Sequence, residues 1–336
     1  MSTATPTSLI PALWHNHQGK ERQVGIELEF AGCQPEQILS CIVQCYGGEV
    51  VKQSIFNYRV KGSAVGDFVL ELDAQLLQQL VSSDSPLPLD NSATDIAQRL
   101  LKAAAEQVVP WEVVTPPIAV SELSQVNTLI ACLRQQGAKG TRHAIQFAFG
   151  LHLNPDLPAL SGTTLLRYLQ AYLCLYDWIC QQENIDITRK LTPYVDHFSK
   201  AYILHVTAAD YQPDRQQFIQ DYLQFNPSRN RSLDLLPLIA YLEPDAVREL
   251  ADNSLIKARP TFHYRLPNCD IDNPDWDLTL AWSLWLQVEQ LANSDRLPGF
   301  MASFRQHFSK LTYGLDNSWL SCCQQLLQQL QQDSKA

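Results

Sequence analysis

No apolar run in this 336-residue chain approaches the roughly 20 residues that a membrane helix needs. The opening stretch Met1 to Leu9, polar with Thr, Ser and Pro, lacks the apolar core of a secretory signal. The expectation is a cytoplasmic protein without a membrane partner. Basic residues are in the minority: 25 Lys and Arg against 35 Asp and Glu give a net charge of -10. Nucleic acid is disfavoured as a partner, because phosphate binding calls for a basic surface. The nine cysteines (Cys33, Cys41, Cys45, Cys132, Cys174, Cys180, Cys269, Cys322, Cys323) include no CxxC pair. Reduced thiols on apolar helix faces are expected, rather than disulfides or a zinc site. Also missing are Gly-x-x-x-x-Gly-Lys-Ser/Thr, Gly-x-Gly-x-x-Gly, His-Glu-x-x-His and Gly-x-Ser-x-Gly. That leaves P-loop, dinucleotide, zincin and common serine-hydrolase readings unsupported.

What is present is a packed, enzyme-sized body. The chain is 46% hydrophobic and 18% charged, a globular composition, and its length allows one elaborate domain or two with no linker that forces a split. The most informative segment is Val24-Gly25-Ile26-Glu27-Leu28-Glu29-Phe30. Side chains alternate across a strand, so Ile26, Leu28 and Phe30 enter a core while Glu27 and Glu29 point together the other way. Such a pair is either one solvated face of an antiparallel strand or part of a site for a hard, oxygen-loving cation.

Further elements follow from periodicity. Pro35 to Tyr46 reads as a helix stopped by Gly47-Gly48. Phe56 to Lys61 and Gly66 to Asp73 read as strands of a meander or hairpin. Ser82 to Asn91 reads as a loop, Ala93 to Val109 as a helix and Trp111 to Thr115 as a strand ended by Pro116-Pro117. Ser121 to Gln136, Thr163 to Gln182 and Asp214 to Gln224 read as helices, with irregular chain from Ile185 to Tyr211. Ala144 to Asn154 alternates with an apolar face and a face of Gln146, Ala148, Gly150, His152 and Asn154. Pro260 to Pro267 is a last strand, and helices complete the chain, the final one amphipathic with leucines at helical spacing among its glutamines. Strands in hairpin pairs separated by helices make an α+β protein, with a mixed or antiparallel sheet covered on one face.

The uncovered face gathers Glu27, Glu29, Glu71, Glu112, His152 and Asn154, with His263 and Arg265 from the last strand. Several carboxylates with one histidine suit Mg2+-type ions that bridge phosphate oxygens. Arg59, Lys61, Lys139, Arg142, Arg229, Arg231, Lys257, Arg259 and Arg265 flank these strands and suit carboxylate or phosphate. Structural alternatives stand beside each. His152 alone would be a hydrogen-bonded core histidine, and only its place in Gly-x-His-x-Asn favours function. Glu112, between Trp111 and Val113, is as well explained by a buried ion pair. Asp67 and Asp73 read as turn residues at strand ends.

In order along the chain, Val24-Gly-Ile-Glu-Leu-Glu-Phe30, Tyr58-Arg-Val-Lys-Gly62, Gly66-Asp-Phe-Val-Leu-Glu-Leu-Asp73, Glu112-Val-Val-Thr-Pro-Pro117, Gly137-Ala-Lys-Gly-Thr-Arg142, Phe149-Gly-Leu-His-Leu-Asn-Pro155, Asn226-Pro-Ser-Arg-Asn-Arg231 and Lys257 to Asn268 resemble the amidoligases. These belong to the carboxylate-amine ligase superfamily with glutamine synthetase and glutamate-cysteine ligase. The resemblance implies a glutamine-synthetase-like catalytic domain over residues 20–312, between an N-terminal arm and a C-terminal helix. Its curved, mostly antiparallel sheet would carry helices on the convex face. It also implies ATP and Mg2+ or Mn2+ as cofactors, and a carboxylate and an amine, small or peptide-borne, as substrates. On that analogy Glu27, Glu29, Glu71, Glu112 and His152 hold metal, and Asn154, Lys139, Arg142 and His152 face the nucleotide. Arg259 and Arg265, with Glu27, serve the phosphoryl transfer. Arg59, Asn226, Arg229, Arg231 and His263 hold substrate. One departure is that His263 and Asn268 stand where glutamine synthetase has a late metal-binding glutamate. A metal-dependent hydrolase and a non-catalytic nucleotide- or peptide-binding member are the competing readings.

Overall fold

The computed structural model describes residues 11–54, 56–72, 111–141, 149–185, 196–251, 253–310, 313 and 317–333. The chain divides into two compact units, one of residues 1–22, 155–266 and 279–336, the other of residues 23–154 and 267–278.

The second unit holds the sheet. Its elements are β1 (Gln23–Phe30), α1 (Pro35–Tyr46), β2 (Glu49–Lys52), β3 (Asn57–Ser63), β4 (Gly66–Leu72), β5 (Trp111–Val114), β6 (Ile118–Ala119), α2 (Gln125–Gln135) and β7 (Leu151–Pro155). The spatial order is β2-β3-β4-β5-β1-β7, with β6 also against β1. The pairs β2/β3, β3/β4, β4/β5, β5/β1 and β6/β1 are antiparallel. The Glu29 backbone N–H donates to the Gly150 carbonyl (3.0 Å), while the Asn154 side-chain amide reaches the Gly25 carbonyl (3.4 Å), so β7 runs antiparallel to β1 as well.

Alternation sorts the side chains of this sheet. Val24, Ile26, Leu28, Phe30, Phe68, Leu70, Leu72, Trp111, Val113, Leu151 and Leu153 are buried, and α1 packs against β2, β3 and β4. Pro35 pre-sets the first turn of α1, Gln37 Oε1 accepts from the Gln34 amide at 2.8 Å, and Gly47, at φ 71°, ends the helix. The apolar side of α1 meets α2, and a disulfide joins Cys41 of α1 to Cys132 of α2. This corrects the expectation of reduced thiols throughout. The pair is separated by 91 residues, and no sequence spacing announces that two helices will bring it to a Cα–Cα distance of 5.8 Å. The remaining cysteines are free thiols.

The first unit is built on α3 (Gly162–Gln182), against which α4 (Lys200–Val206), α5 (Arg215–Phe225), α8 (Leu297–Phe308) and α9 (Ser318–Asp333) pack. Ser161 starts α3 by accepting from the Thr164 amide at 3.1 Å. The antiparallel pair β8 (Leu233–Asp234) and β9 (His263–Tyr264), with α6 (Leu236–Leu242) and α7 (Leu278–Ala292), completes it. Tyr168, Tyr172, Phe262, Tyr264 and Trp285 form a buried aromatic cluster. Beside it Arg22 and Glu289 make a fully buried, two-point ion pair, one arm of it at 2.7 Å, which Trp285 Nε1 supports at 2.7 Å. Burial alone would lower the Arg22 pKa, but the charge and hydrogen bond of Glu289, with smaller contributions from Tyr168 and Asp156, together more than offset it and the value is raised.

Several expected elements differ in extent. The helix expected from Ser121 is a short 3-10 turn, Val120–Glu122, followed by α2. The irregular stretch from Ile185 contains α4, and of Pro260 to Pro267 only His263–Tyr264 is strand. The exposed strand β2 carries no apolar alternation and was not expected. Asp73, the loop at Ser82 to Asn91, the helix at Ala93 to Val109, and the residues of the Ala144 strand before Phe149 lie outside the described residues.

Candidate metal and active site

Strand register builds the site within the sheet-bearing unit. Glu29 of β1 stands directly opposite Glu112 of β5, and Glu112 stands directly opposite Glu71 of β4, which in turn faces Asn57 of β3. Three carboxylates on three adjacent strands thus form one transverse row. Directly opposed residues of antiparallel strands have Cβ atoms about 4.5–5.5 Å apart, and like charges there are destabilising. The Asn57 amide donates to Glu71 Oε2 at 3.1 Å, which anchors one end of the row.

The other end is anchored by β7. The Gly150 amide donates to Glu29 Oε2 at 2.7 Å. His152 lies with Nε2 3.3 Å from Glu29 Oε1 and Nδ1 3.1 Å from Glu27 Oε2. The second oxygen of Glu27 accepts from the Asn154 amide at 3.0 Å. Glu27, Glu29, His152 and Asn154 are all buried, and Glu112 and Glu71 half-buried. A neutral imidazole has one N–H, so it can donate to only one of the two carboxylates that face it. Donor atoms of Glu29, Glu112 and His152 lie within 4.8 Å of one another. Two carboxylate oxygens and an imidazole nitrogen converging on one point are a fitting donor set for a divalent cation of the Mg2+ or Mn2+ kind. A carboxylate on the far nitrogen, as Glu27 is here, fixes the ring that binds.

The remaining sequence candidates are distributed as follows. Arg59 shares the polar face of β3 with Asn57 and is half-buried. Lys139 is exposed, its backbone bridging Ala31, and Arg142 lies outside the described residues. Asp67, expected as a turn residue, is the second residue of β4, where its side chain accepts from the Gly62 amide at 3.0 Å across the hairpin. Asn268 is buried and pairs its backbone with Gly150. In the other unit, Arg265 is buried and donates to the Arg229 carbonyl at 3.0 Å. Arg231 donates to the His197 carbonyl at 3.1 Å, and Arg259 is half-buried with its amide on the Pro237 carbonyl. His263 stands opposite Asp234 across β8 and β9, its Nδ1 3.8 Å from Asp234 Oδ2. Asn226 closes α5, its side chain donating to the Tyr222 carbonyl at 3.2 Å.

Sequence reasoning missed the transverse alignment itself, the backbone N–H of Gly150 as a partner of Glu29, and Asn57 as a partner of Glu71. The glycine left a signal, standing alone among larger residues on the polar side of an alternating segment. Register between strands that are distant in sequence left none.

No curated protein and no solved structure matches the chain. The family described as "Putative amidoligase enzyme" matches residues 20–287. That span is most of the chain, takes in Glu29, Glu71, Glu112 and His152, and makes this protein a member of the amidoligase family.

Proposed function

We propose that the protein is an ATP-dependent carboxylate-amine ligase on a glutamine-synthetase-like fold, with Mg2+ or Mn2+ as cofactor. Its substrates would be a carboxylate and an amine, free or carried by a peptide. The reading rests on one observation above the others: the in-register row Glu71, Glu112, Glu29, closed by His152. Such a row is costly in an empty sheet and becomes favourable when a cation sits against it.

In the proposed reaction a substrate carboxylate oxygen attacks the γ-phosphorus of ATP and ADP leaves. The amine nitrogen then attacks the acyl carbon of the acyl phosphate, phosphate departs with the bonding electrons, and the nitrogen loses a proton. A divalent cation, when bound, neutralises charge on the phosphate oxygens. Glu29, Glu112 and His152, with Glu71 alongside, would hold it. Glu27 orients His152 from behind through the 3.1 Å contact, and Asn154 holds Glu27 in place by donating to it at 3.0 Å. The buried walls limit water, to which an acyl phosphate would be lost. From the family resemblance, Asn154, Lys139 and Arg142 are assigned to the nucleotide, Arg259 and Arg265 to the transferring phosphoryl group, and Arg59, Asn226, Arg229, Arg231 and His263 to the substrates.

The test is amine-dependent ADP release from Mg-ATP across an array of acidic amino acids and amines, with mass spectrometry of the product. In Glu29→Gln, turnover should fall at least a hundredfold with the circular dichroism spectrum unchanged. Full turnover in that variant, or bond hydrolysis without ATP, would overturn the reading.

A further inference from the structure

The helical unit contains a cavity of about 720 Å³ between α3, α8 and the segment that follows α4. Two arginines line it, Arg167 from α3 and Arg305 from α8. Its lining includes no aspartate or glutamate, in a chain where acidic residues outnumber basic ones by 35 to 25. Neither guanidinium has a carboxylate within ion-pair reach among the described residues.

Both guanidinium groups are already fixed in direction. Arg167 donates from Nε to the Ala292 carbonyl (2.7 Å) and from Nη2 to the Ser294 carbonyl (2.8 Å), at the C-terminal end of α7. Arg305 donates from Nη1 to the Leu204 carbonyl and to Thr207 Oγ1 (3.1 Å), at the end of α4. The Ala292, Ser294 and Leu204 carbonyls lie at or just beyond helix C-termini, which attract cations. Each arginine uses only part of its five-donor fork in this way, and each is half-buried, so neither is a fully solvated surface charge. Leu166, Pro213, Pro298 and Met301 supply an apolar wall to the same space. The volume lies in the range of small-molecule sites, and an apolar wall with a few polar groups is their usual make-up.

We infer that this cavity binds a small organic carboxylate with an apolar body, its anionic end on Arg167 and Arg305. The charge calls for an anion, and the forks match the two oxygens of a carboxylate. The apolar wall would be left uncovered by an inorganic ion. The site is independent of the sheet-borne row and does not rest on the ligase reading.

Isothermal titration calorimetry of the full chain in EDTA, with N-acetyl-leucinate, its neutral amide and inorganic phosphate as probes, tests the inference. Saturable binding of the acid is expected, with the amide and phosphate at least tenfold weaker. Ala302→Glu and Gln306→Glu, at exposed cavity-lining positions of α8, place a carboxylate beside the arginines and should each weaken the acid at least tenfold without shifting the thermal melt. Equal affinity for acid and amide, equal affinity for phosphate, unchanged affinity in both variants, or no saturable binding would overturn it.

Discussion

Glu112→Gln is the most discriminating perturbation of the carboxylate row, because Glu112 alone is opposed by a like charge on both sides. At a separation of about 5 Å and an effective dielectric near 20, one such pair costs about 3 kcal/mol. Glu112 and Glu71 are half-exposed, and salt screens them, so about 1 kcal/mol per pair is the realistic scale. Removing the central charge therefore stabilises the protein in EDTA at low ionic strength by about 1–2 kcal/mol. Divalent cation reverses the order. The wild type gains about 2.7 kcal/mol when Mn2+ stands at a hundredfold excess over its dissociation constant, whereas the variant has lost a ligand and gains much less. Calorimetric melts of both proteins, in EDTA and across a Mn2+ titration, read the two effects separately. A variant that is less stable than wild type in EDTA, yet shifts equally with Mn2+, would refute the assignment of the row to a cation.

Three further outcomes follow from other parts of the molecule. Glu289→Ala strands the buried Arg22 guanidinium and should cost about 3–5 kcal/mol in urea unfolding, while replacing both partners by methionine should cost far less. Gly140→Ala should cost about 1–3 kcal/mol, since its Cβ would lie 2.0 Å from the Cys269 carbonyl oxygen and displace the amide that donates to Asp272. Burial alone would raise the pKa of Asp221, but hydrogen bonds from Tyr211, His205 and Gln217 more than offset it and hold the value below the ordinary aspartate range. Its contribution to stability is therefore present above the unfolded-state pKa and lost as pH falls through the depressed folded value, and Asp221→Asn should flatten that acid limb of the urea midpoint against pH.

Local pattern carried the reading of single elements. Helix α1 was legible from Pro35 and Gly47, and the β1 face from strict alternation around Glu27 and Glu29. His152 and Asn154 were legible as one polar face of a strand because glycine and polar residues alternate with Leu151 and Leu153. What could not be read is whatever depends on segments far apart in sequence. Glu112 looked equally like a structural ion-pair member, and only pairing with β1 and β4 puts it between Glu29 and Glu71. Short pieces such as β8 and β9, two residues each, carry too few residues to show a period. Cys41 and Cys132 look like ordinary apolar positions of two helices until those helices pack.

The Cys41–Cys132 link also gives the sheet-bearing unit a different connectivity from that of an open chain. Residues 41 to 132 form a covalent ring that contains β2 through β6, including Glu71 and Glu112, while Glu29 and His152 sit on the two tails that leave it. A single backbone cut anywhere in that ring opens it without releasing a fragment. A single cut would let the strands bearing Glu71 and Glu112 separate from one another only if it fell between those two residues and the disulfide were also reduced.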